Sequence, residues 1–584
     1  MTFKRNWFIY FALFLYLAAV MLIMILAVTQ LQKDLAYPYL TQMLLIIGFF
    51  GVLMLIQILS YIITRPWVQR IFAPMKKAGI WIEAVMVVFV LITGLLLRLY
   101  FIRTYPVKLE SDYKLYYDVA TMLVKGTLAT EANNEYIALF PNTFGYSYIL
   151  SVVMRIFGTA PEVCLYFNAC VSVLTALICY YIGKLLIGKL SGMAALIISC
   201  FWPSQIIFSN INGTEAVFTF MLYGSALLSV YTVKKYDGSD SQCAIPVILH
   251  FLIGILLALT SAVRPMSLVF FIALILCMIS INHKLQYKNI NDVPLGTIFL
   301  SKGWLRALII IMGYMLCTPF INAGISNAIQ NEIADSGALG YSLLVGVNTE
   351  SSGMYSEDIM SFLYETYKNT KSVNAAHQAC LTKAIEAVKA NPVGTLELLA
   401  KKFYLSWLDD NYATTTNIIT MNNQGLLTQD NERIFNRLAR WNNVYYLLMV
   451  FLSAVGVIYL FKRDNNGQLF AVFFVGAVIL HMLVEVQNRY HYYLLQNFAI
   501  LAAVGIGFIY NGYRQHSKAA ETVIEHTQKI SQNASPISED DNKEKGTSNL
   551  ITIDVLKAIE EGHIVITATR AYEDEALLKN KDEK

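Results

Sequence analysis

The sequence has 584 residues, of which 56% are hydrophobic and only 14% are charged. Soluble globular domains carry about a quarter charged residues, so this composition excludes an ordinary soluble protein. The formal net charge of +4 is too small and too dispersed to indicate a nucleic-acid partner. The eight cysteines occur singly and mostly within apolar runs, which favours packing roles over a metal site or a disulfide framework.

Twelve apolar runs are long enough to cross about 30 Å of hydrocarbon as helices, the spanning structure that satisfies every backbone amide. We therefore predict an all-α polytopic integral membrane protein with about twelve spans. In chain order the predicted spans are approximately 7–29, 40–63, 81–101, 161–183, 191–209, 214–233, 244–262, 265–281, 304–325, 443–461, 468–485 and 493–511.

The basic residues between these runs predict the topology. Lys4 and Arg5 precede the first run, and every later short basic loop falls on the same side if the spans alternate. By the positive-inside rule that side is the cytosol, and both termini lie there. Residues 142–158 are apolar but short, contain Arg155, and would invert all later loops if they crossed. We predict that they form an amphipathic helix on the outer surface.

This topology divides the chain into five parts. The tail is rich in charge, Ser and Asn, which predicts disorder through about residue 548, and Leu550–Glu575 is predicted to fold or to bind a partner. The five parts are two extra N-terminal spans at 1–80, a membrane core at 81–325 with a first outer loop at 102–160, a large extracytoplasmic domain at 326–442, three further spans at 443–513, and a cytosolic tail at 514–584.

Two acids, Glu110 and Asp112, follow the third span closely in the first outer loop. Asp112, Tyr116 and Ala120 lie on one face if this segment is helical. A carboxylate at a membrane boundary can take a proton from an acceptor hydroxyl, as a general base does. Alternatively, both acids are solvated residues at a helix start, where the helix dipole favours them.

Two further outer turns carry charge. Glu215 lies at the membrane edge, where an acid is costly and therefore a candidate for function, although Thr214 and Glu215 could simply cap a helix. Arg264 precedes Pro265 on the outer side, against the positive-inside bias. It needs a partner, which could be Glu215, a lipid head group or a phosphate. A structural ion pair is the alternative.

The last outer turn combines Glu485, Arg489, Tyr490 and His491 within a few residues. An acid, a base and aromatic rings suited to sugar stacking make it a candidate substrate-binding site. Ordinary anchoring by interfacial aromatics and pairing of Glu485 with Arg489 are the alternatives. Four outer turns with an acid or an arginine could thus converge on one cavity.

In their order along residues 81–511, these motifs resemble the GT-C superfamily of membrane glycosyltransferases. The branch concerned is glycosyltransferase family 39-like and contains protein O-mannosyltransferases and lipid A aminoarabinose transferases. Tyr113 stands where the family often has Glu. The segments that carry the resemblance are S111-D112-Y-K-L-Y116-Y-D-V-A120, N212-G-T-E215-A, T260-S-A-V-R264-P, the helix containing N391-P392, and E485-V-Q-N-R489-Y490.

The resemblance implies a GT-C-like helical bundle in a bacterial cell membrane. It also implies inverting transfer of a sugar from a polyprenyl-phosphate donor to an extracytoplasmic hydroxyl of the cell envelope. Asp112 would be the base, with Glu110 or Glu215 orienting it or binding the sugar. Arg264 and Arg489 would bind the leaving phosphate, because the lysine that aminoarabinose transferases carry near the surface helix is missing at 139–143.

The residues predict no cofactor beyond this donor substrate, and they leave open whether a divalent metal takes part. They also leave open the sugar, the acceptor and the oligomeric state. The other functions considered are a flippase or exporter of lipid-linked glycans and a glycan polymerase or ligase. A carrier would place charged residues deep in the spans and polar sites on both faces.

Overall fold

A computed structural model describes residues 7–31, 38–71, 79–130, 134–236, 244–280, 302–334, 338–462 and 466–533. Helices dominate these residues. In chain order they are α1 Trp7–Leu31, α2 Pro38–Thr64, α3 Pro66–Ile71, α4 Gly79–Thr104, α5 Ser111–Lys125, α6 Asn134–Leu139, α7 Asn142–Phe157, α8 Pro161–Leu186, α9 Lys189–Cys200, α10 Pro203–Ile207, α11 Glu215–Tyr236, α12 Ala244–Val263, α13 Ser267–Ser280, α14 Gly303–Ile329, α15 Leu339–Gly346, α16 Glu357–Thr370, α17 Val373–Ala390, α18 Pro392–Trp407, α19 Tyr412–Asn423, α20 Gln429–Lys462, α21 Gln468–Leu483 and α22 Leu495–Asn533.

Each predicted span coincides with a helix or a pair of helices. Within the described residues, nine helices are long and apolar enough to cross a bilayer, and one bent pair would make ten. The helices α13 and α21 are apolar but have only 14 and 16 residues. The chain is therefore a multi-pass membrane protein, and the count of twelve spans stays a prediction.

The fifth predicted span, 191–209, is not a continuous helix. It is formed by α9 and by a second segment, Pro203–Asn210, and the two are bent by 45°. Trp202 has extended dihedral angles before Pro203, as expected of a residue whose α conformation is disfavoured by a following proline.

The two outer regions are not separate bodies, although the sequence suggested a division at residue 325. Apolar residues of the first outer loop and of α14–α17 form a single core, with Val119, Leu139 and Leu363 among its most buried members. Backbone contacts reinforce it, since Ala334 N donates to Ala138 O at 3.0 Å. The first outer loop is thus fixed by the later domain.

The predicted surface helix is confirmed as a helix, α7. Its inner face packs on α5 and on the end of α12, and Arg155 Nη2 donates to Leu123 O at 3.0 Å. Its placement on the outer surface of the membrane stays a prediction. The helix matters for the site because Tyr146, at its first turns, is fully buried.

Among the described residues, a second compact unit contains residues 50–71, 79–81 and 508–533. Within it, Ser517 Oγ donates to Thr64 O at 3.0 Å, and the rings of Tyr61 and Tyr513 meet edge to face at 5.9 Å. The tail was predicted to be disordered from residue 514, but α22 continues to Asn533. Ala, Glu, Gln and Lys in this stretch are good helix formers, which offset its polarity. Leu550–Glu575 lies outside the described residues.

Helix α7 approaches α12 most closely at Gly145, where an added Cβ would overlap the carbonyl group of Ala262. We expect Gly145→Ala to destabilise the protein by about 1–3 kcal/mol, because the backbones must separate. The measurement is the midpoint of thermal unfolding in detergent.

Gly324→Ala is the matched control, since a Cβ there meets no described atom within 4 Å. Alanine favours a helix over glycine by about 1 kcal/mol, so this variant should be neutral or slightly stabilised. Equal losses in the two variants would contradict the close approach at Gly145.

Candidate active site

The site begins at the first turn of α5. Glu110 precedes the helix in an extended conformation, and Ser111 has a φ of 51°. This left-handed conformation is uncommon for a residue other than glycine, and such strain concentrates at functional sites. It directly precedes Asp112, whose direction it therefore sets.

Asp112 forms an ion pair with an arginine of the last outer turn, which we define as residues 484–491. Arg489 Nη2 lies 2.8 Å from Asp112 Oδ2. The other guanidinium nitrogens are also used: Nη1 donates to Tyr113 Oη at 2.7 Å and Nε to Gln487 Oε1 at 2.7 Å. The Asp112 side chain is nevertheless 41% exposed, so its carboxylate is accessible to a substrate.

A second ion pair joins the starts of α11 and α13. Arg264 donates through Nη2 to Glu215 Oε1 and through Nε to Thr214 Oγ1, both at 2.5 Å. The Glu215 side chain is only 1% exposed. Its Oε2 is buried and has no hydrogen-bond partner among the described residues. Gly213 is required beside it, because a Cβ there would overlap this oxygen.

The two ion pairs lie close to one tyrosine. Burial raises the pKa of Tyr116, and all four charges act on it, with the acids raising and the arginines lowering the value. The charged residues of these turns thus lie near one another around Tyr116, and their convergence on one cavity stays a prediction. The four charged residues are Asp112, Arg489, Glu215 and Arg264.

Polar contacts behind the pairs fix their spacing. Asn212 Nδ2 donates to Tyr113 O at 3.1 Å, and its Oδ1 accepts from Tyr146 Oη at 2.7 Å. Asn168 donates to the same tyrosine oxygen at 2.7 Å and to Gly213 O at 3.1 Å. A buried network of this kind, once satisfied, stiffens the elements that it joins. It connects α5, α7 and α8 to the turn before Glu215.

Three other predicted site residues, Glu110, Tyr490 and His491, do not belong to the two ion pairs. Glu110 accepts from Gln424 Nε2 at 2.8 Å and therefore ties the loop before α5 to the residue that follows α19. Tyr490 has its ring 5.9 Å from the guanidinium carbon of Arg264, within the site. His491 is fully buried, with Nε2 3.1 Å from Asp410 Oδ1 and Nδ1 2.8 Å from Ser406 O.

Lys402 is a site residue that the sequence did not indicate. Its side chain is buried, and its ammonium group donates to three backbone carbonyls, Gly346 O at 2.8 Å, Met482 O at 2.7 Å and Val484 O at 2.6 Å. Burial lowers its pKa to about 8, against the charge of Glu485. Burial likewise raises the pKa of Glu485, opposed by its hydrogen bond to Gln487.

The pair Asp409 and Asp410 was also missed, although W407-L-D-D-N411 stands out as two adjacent acids before a helix. Asp410 is buried and accepts from Trp202 Nε1 at 2.8 Å and from Ser204 Oγ at 2.7 Å. It therefore belongs to the framework behind the last outer turn. Asp409 instead lines a cleft beside Arg489.

No protein-family profile matches the sequence, and no curated protein matches it. Solved structures do. The oligosaccharyltransferase of Archaeoglobus fulgidus, in a complex with Zn and sulfate, is 14% identical with a TM-score of 0.39, and the match covers 74% of this chain and 51% of that one.

Two other structures are similar. The oligosaccharyltransferase AglB of Archaeoglobus fulgidus, with an inhibitory peptide and a dolichol-phosphate, is 13% identical with a TM-score of 0.35 and coverages of 84% and 56%. ArnT of Cupriavidus metallidurans, bound to undecaprenyl phosphate, is 10% identical with a TM-score of 0.30 and coverages of 79% and 81%. The chain spans about half the length of the archaeal oligosaccharyltransferase chains.

The likeness to these structures is one of 10 to 14% identity. At TM-scores of 0.30 to 0.39 it transfers no residue role to this chain, and the roles proposed below rest on the geometry described above.

We expect Lys402→Met to destabilise the protein, because three buried carbonyls would lose their donor. Each unsatisfied buried group costs about 1–3 kcal/mol, so the total loss should be on the order of 3 kcal/mol or more. Unfolding by heat or denaturant in detergent measures it. Lys401→Met is the control, since Lys401 is exposed on the same helix. Similar unfolding midpoints for both variants would show that the three hydrogen bonds of Lys402 do not stabilise the fold.

Proposed function

We propose that the chain is a membrane glycosyltransferase. It moves a hexosyl or pentosyl group from a polyprenyl-phosphate donor to an extracytoplasmic hydroxyl by inverting displacement, with Asp112 as the base. The site faces the outside, and both termini are cytosolic. The partners are then the lipid-linked donor, membrane lipids and an acceptor of the cell envelope.

The observation that carries the proposal is the contrast between the two ion pairs. Asp112 is 41% exposed, so an acceptor hydroxyl can reach its carboxylate. Glu215 is 1% exposed and is suited to positioning Arg264 or to binding a donor group through its unpartnered oxygen. Two carboxylates in different surroundings can take different roles within one site.

The reaction assigned to these groups is a single displacement. The acceptor oxygen attacks the anomeric carbon while its proton passes to Asp112, and the bond between that carbon and the phosphate oxygen breaks. The electrons of that bond leave with the polyprenyl phosphate. Arg264 and Arg489 stabilise the negative charge that develops there, and such preorganised electrostatic stabilisation is usually the largest catalytic contribution.

Arg489 has a further role in this reaction. Its charge is neutralised by Asp112 in the resting site, at 2.8 Å. Once Asp112 has accepted the proton, that neutralisation ends, and the guanidinium charge becomes available to the departing phosphate. Proton uptake and charge stabilisation are therefore coupled through one contact.

The first test is Asp112→Asn, assayed in membranes supplied with polyprenyl-phosphate sugars. Asparagine is nearly isosteric but cannot accept the proton, and general-base catalysis contributes about 10²–10⁴-fold. We expect kcat to fall by that factor while the protein remains folded.

Asp118→Asn is the matched control, because Asp118 lies on the same helix outside the ion pairs. Unchanged transfer by Asp112→Asn would show that Asp112 is not the base. A different result would show that the protein is a carrier of lipid-linked glycans and not an enzyme. In that case the wild type transfers nothing from any such donor, and a null strain accumulates lipid-linked glycan on the inner face of the membrane.

A second test is Arg264→Lys. A lysine ammonium cannot reproduce the fork of contacts that Arg264 makes with Thr214 and Glu215. Losing a hydrogen bond to a charged group costs about 1.5–3 kcal/mol, so we expect kcat/KM for the donor to fall about tenfold or more. Arg155→Lys is the control, since Arg155 donates only to a backbone oxygen outside the site; equal kinetics for both variants would argue against a donor role for Arg264.

A further inference from the structure

A cleft adjoins the Asp112–Arg489 pair on the side of α18 and α19. It has a volume of about 460 Å³, within the roughly 300–1,000 Å³ range of ligand pockets in proteins. Its walls come from α18, α19 and the last outer turn, and they include Tyr113 and Arg489. Both of these residues contact each other, and Arg489 contacts Asp112. A molecule in the cleft therefore lies next to the proposed base.

The polar lining offers hydrogen-bond acceptors. Asp409 Oδ1 accepts from Asn488 Nδ2 at 2.9 Å and from Asn411 N at 3.0 Å. Since a carboxylate can only accept, the amide of Asn488 must turn its nitrogen toward Asp409 and its oxygen away. That oxygen, like Asn411 Oδ1, is buried without a hydrogen-bond partner in the described part of the chain. Of the acidic and amide groups of the lining, Asp409 is only partly buried, and its carboxylate can only accept hydrogen bonds, which suits a ligand that donates.

Each guanidinium nitrogen of Arg489 already donates one hydrogen bond within the protein. Arg489 uses Nε, Nη1 and Nη2 for Gln487, Tyr113 and Asp112. The amide nitrogen of Gln487 donates to Glu485 at 2.7 Å. Within the lining, the charge of Arg489 is balanced by Asp112, and Asp409 adds a negative charge. An anionic ligand would meet the uncompensated negative charge of Asp409.

The remaining wall is apolar or aromatic. Leu405, Leu408 and Met354 line it together with the rings of Tyr404 and Tyr412. A sugar ring presents C–H groups on its faces and hydroxyl groups around its rim, and each hydroxyl can donate. A peptide backbone brings a carbonyl with every N–H, and those carbonyls would face the acceptor oxygens.

We propose that this cleft is the acceptor subsite and that its ligand is an uncharged, hydroxyl-rich glycan, not a phosphate-bearing polymer. The inference rests on the proposed function, because it takes Asp112 as the base that the acceptor hydroxyl reaches. The glycan lies against the leucine and tyrosine wall and donates to the carboxylate of Asp409. One of its hydroxyls then reaches Asp112 beside Arg489.

The test uses the full-length protein purified in detergent and two probes, a neutral hexose oligosaccharide and poly(glycerol phosphate). Binding is measured by ligand-observed NMR. Thr415→Trp fills the cleft from an exposed position of α19, and Ile419→Trp places the same ring one turn further on, at an exposed position outside the lining. We expect the oligosaccharide to bind the wild type and Ile419→Trp equally, and Thr415→Trp about tenfold or more weakly.

Asp112→Asn separates the cleft from the chemistry, since it should retain oligosaccharide binding while losing transfer. In transfer assays Thr415→Trp should raise the KM for the acceptor and leave the KM for the donor unchanged. Three results would overturn the proposal: no binding of the oligosaccharide to the wild type, tighter binding of poly(glycerol phosphate), or cleft-dependent binding of a Ser/Thr-rich peptide in its place.

The failures of the two proposals are distinguishable. Transfer with an acceptor KM that Thr415→Trp leaves unchanged would overturn the acceptor subsite and leave the glycosyltransferase standing. Oligosaccharide binding that Thr415→Trp abolishes, without transfer from any polyprenyl-phosphate sugar, would overturn the enzymatic function and leave a glycan-binding cleft.

Discussion

The candidate site depends on one constraint, which is that the last outer turn is fixed along its whole length before it presents Arg489. Lys402 donates to Val484 O at the start of the turn, and Val486 N donates to Gly353 O at 2.8 Å. At the other end, His491 is enclosed between Ser406 and Asp410. A guanidinium on a mobile loop would lose much of its stabilisation to entropy. In this protein the contacts at both ends of the turn already restrict it in the folded state, so Arg489 is preorganised toward Asp112.

The partner of Arg489 is fixed by a different part of the molecule. Asp112 follows the strained Ser111 on a helix whose buried residue Val119 belongs to the common core of the two outer regions. The shared core therefore places an acid from the beginning of the chain against an arginine from its end. The same core explains why the first outer loop is ordered, although it has few long apolar runs of its own.

Sequence patterns predicted the elements well, and they predicted the charged residues that meet between short turns. Glu215 was one of three partners considered for Arg264, because each residue lies at an end of an apolar helix, which limits where its side chain can lie. Lys402 could not, because helical periodicity tells which face is buried but not which carbonyls a buried amine will find. His491 was misjudged for a related reason: a histidine among tyrosines resembles a binding residue until its burial against Asp410 is known. Such partners are far apart in the chain, and only packing brings them together.

The two ion pairs also differ in what they contribute. The Asp112–Arg489 pair adds little to stability, since Asp112 is 41% exposed and water and salt weaken the attraction on its side. Burying Glu215 with Arg264 carries a desolvation cost that its attraction only partly recovers. Neither pair is therefore explained by stability. What they share is a location around Tyr116, beside a cleft to which Asp409 adds a negative charge. The two ion pairs, which do not stabilise the fold, are therefore concentrated between two possible binding places. A neutral molecule that donates a proton could bind on one side of them, and an anionic leaving group on the other.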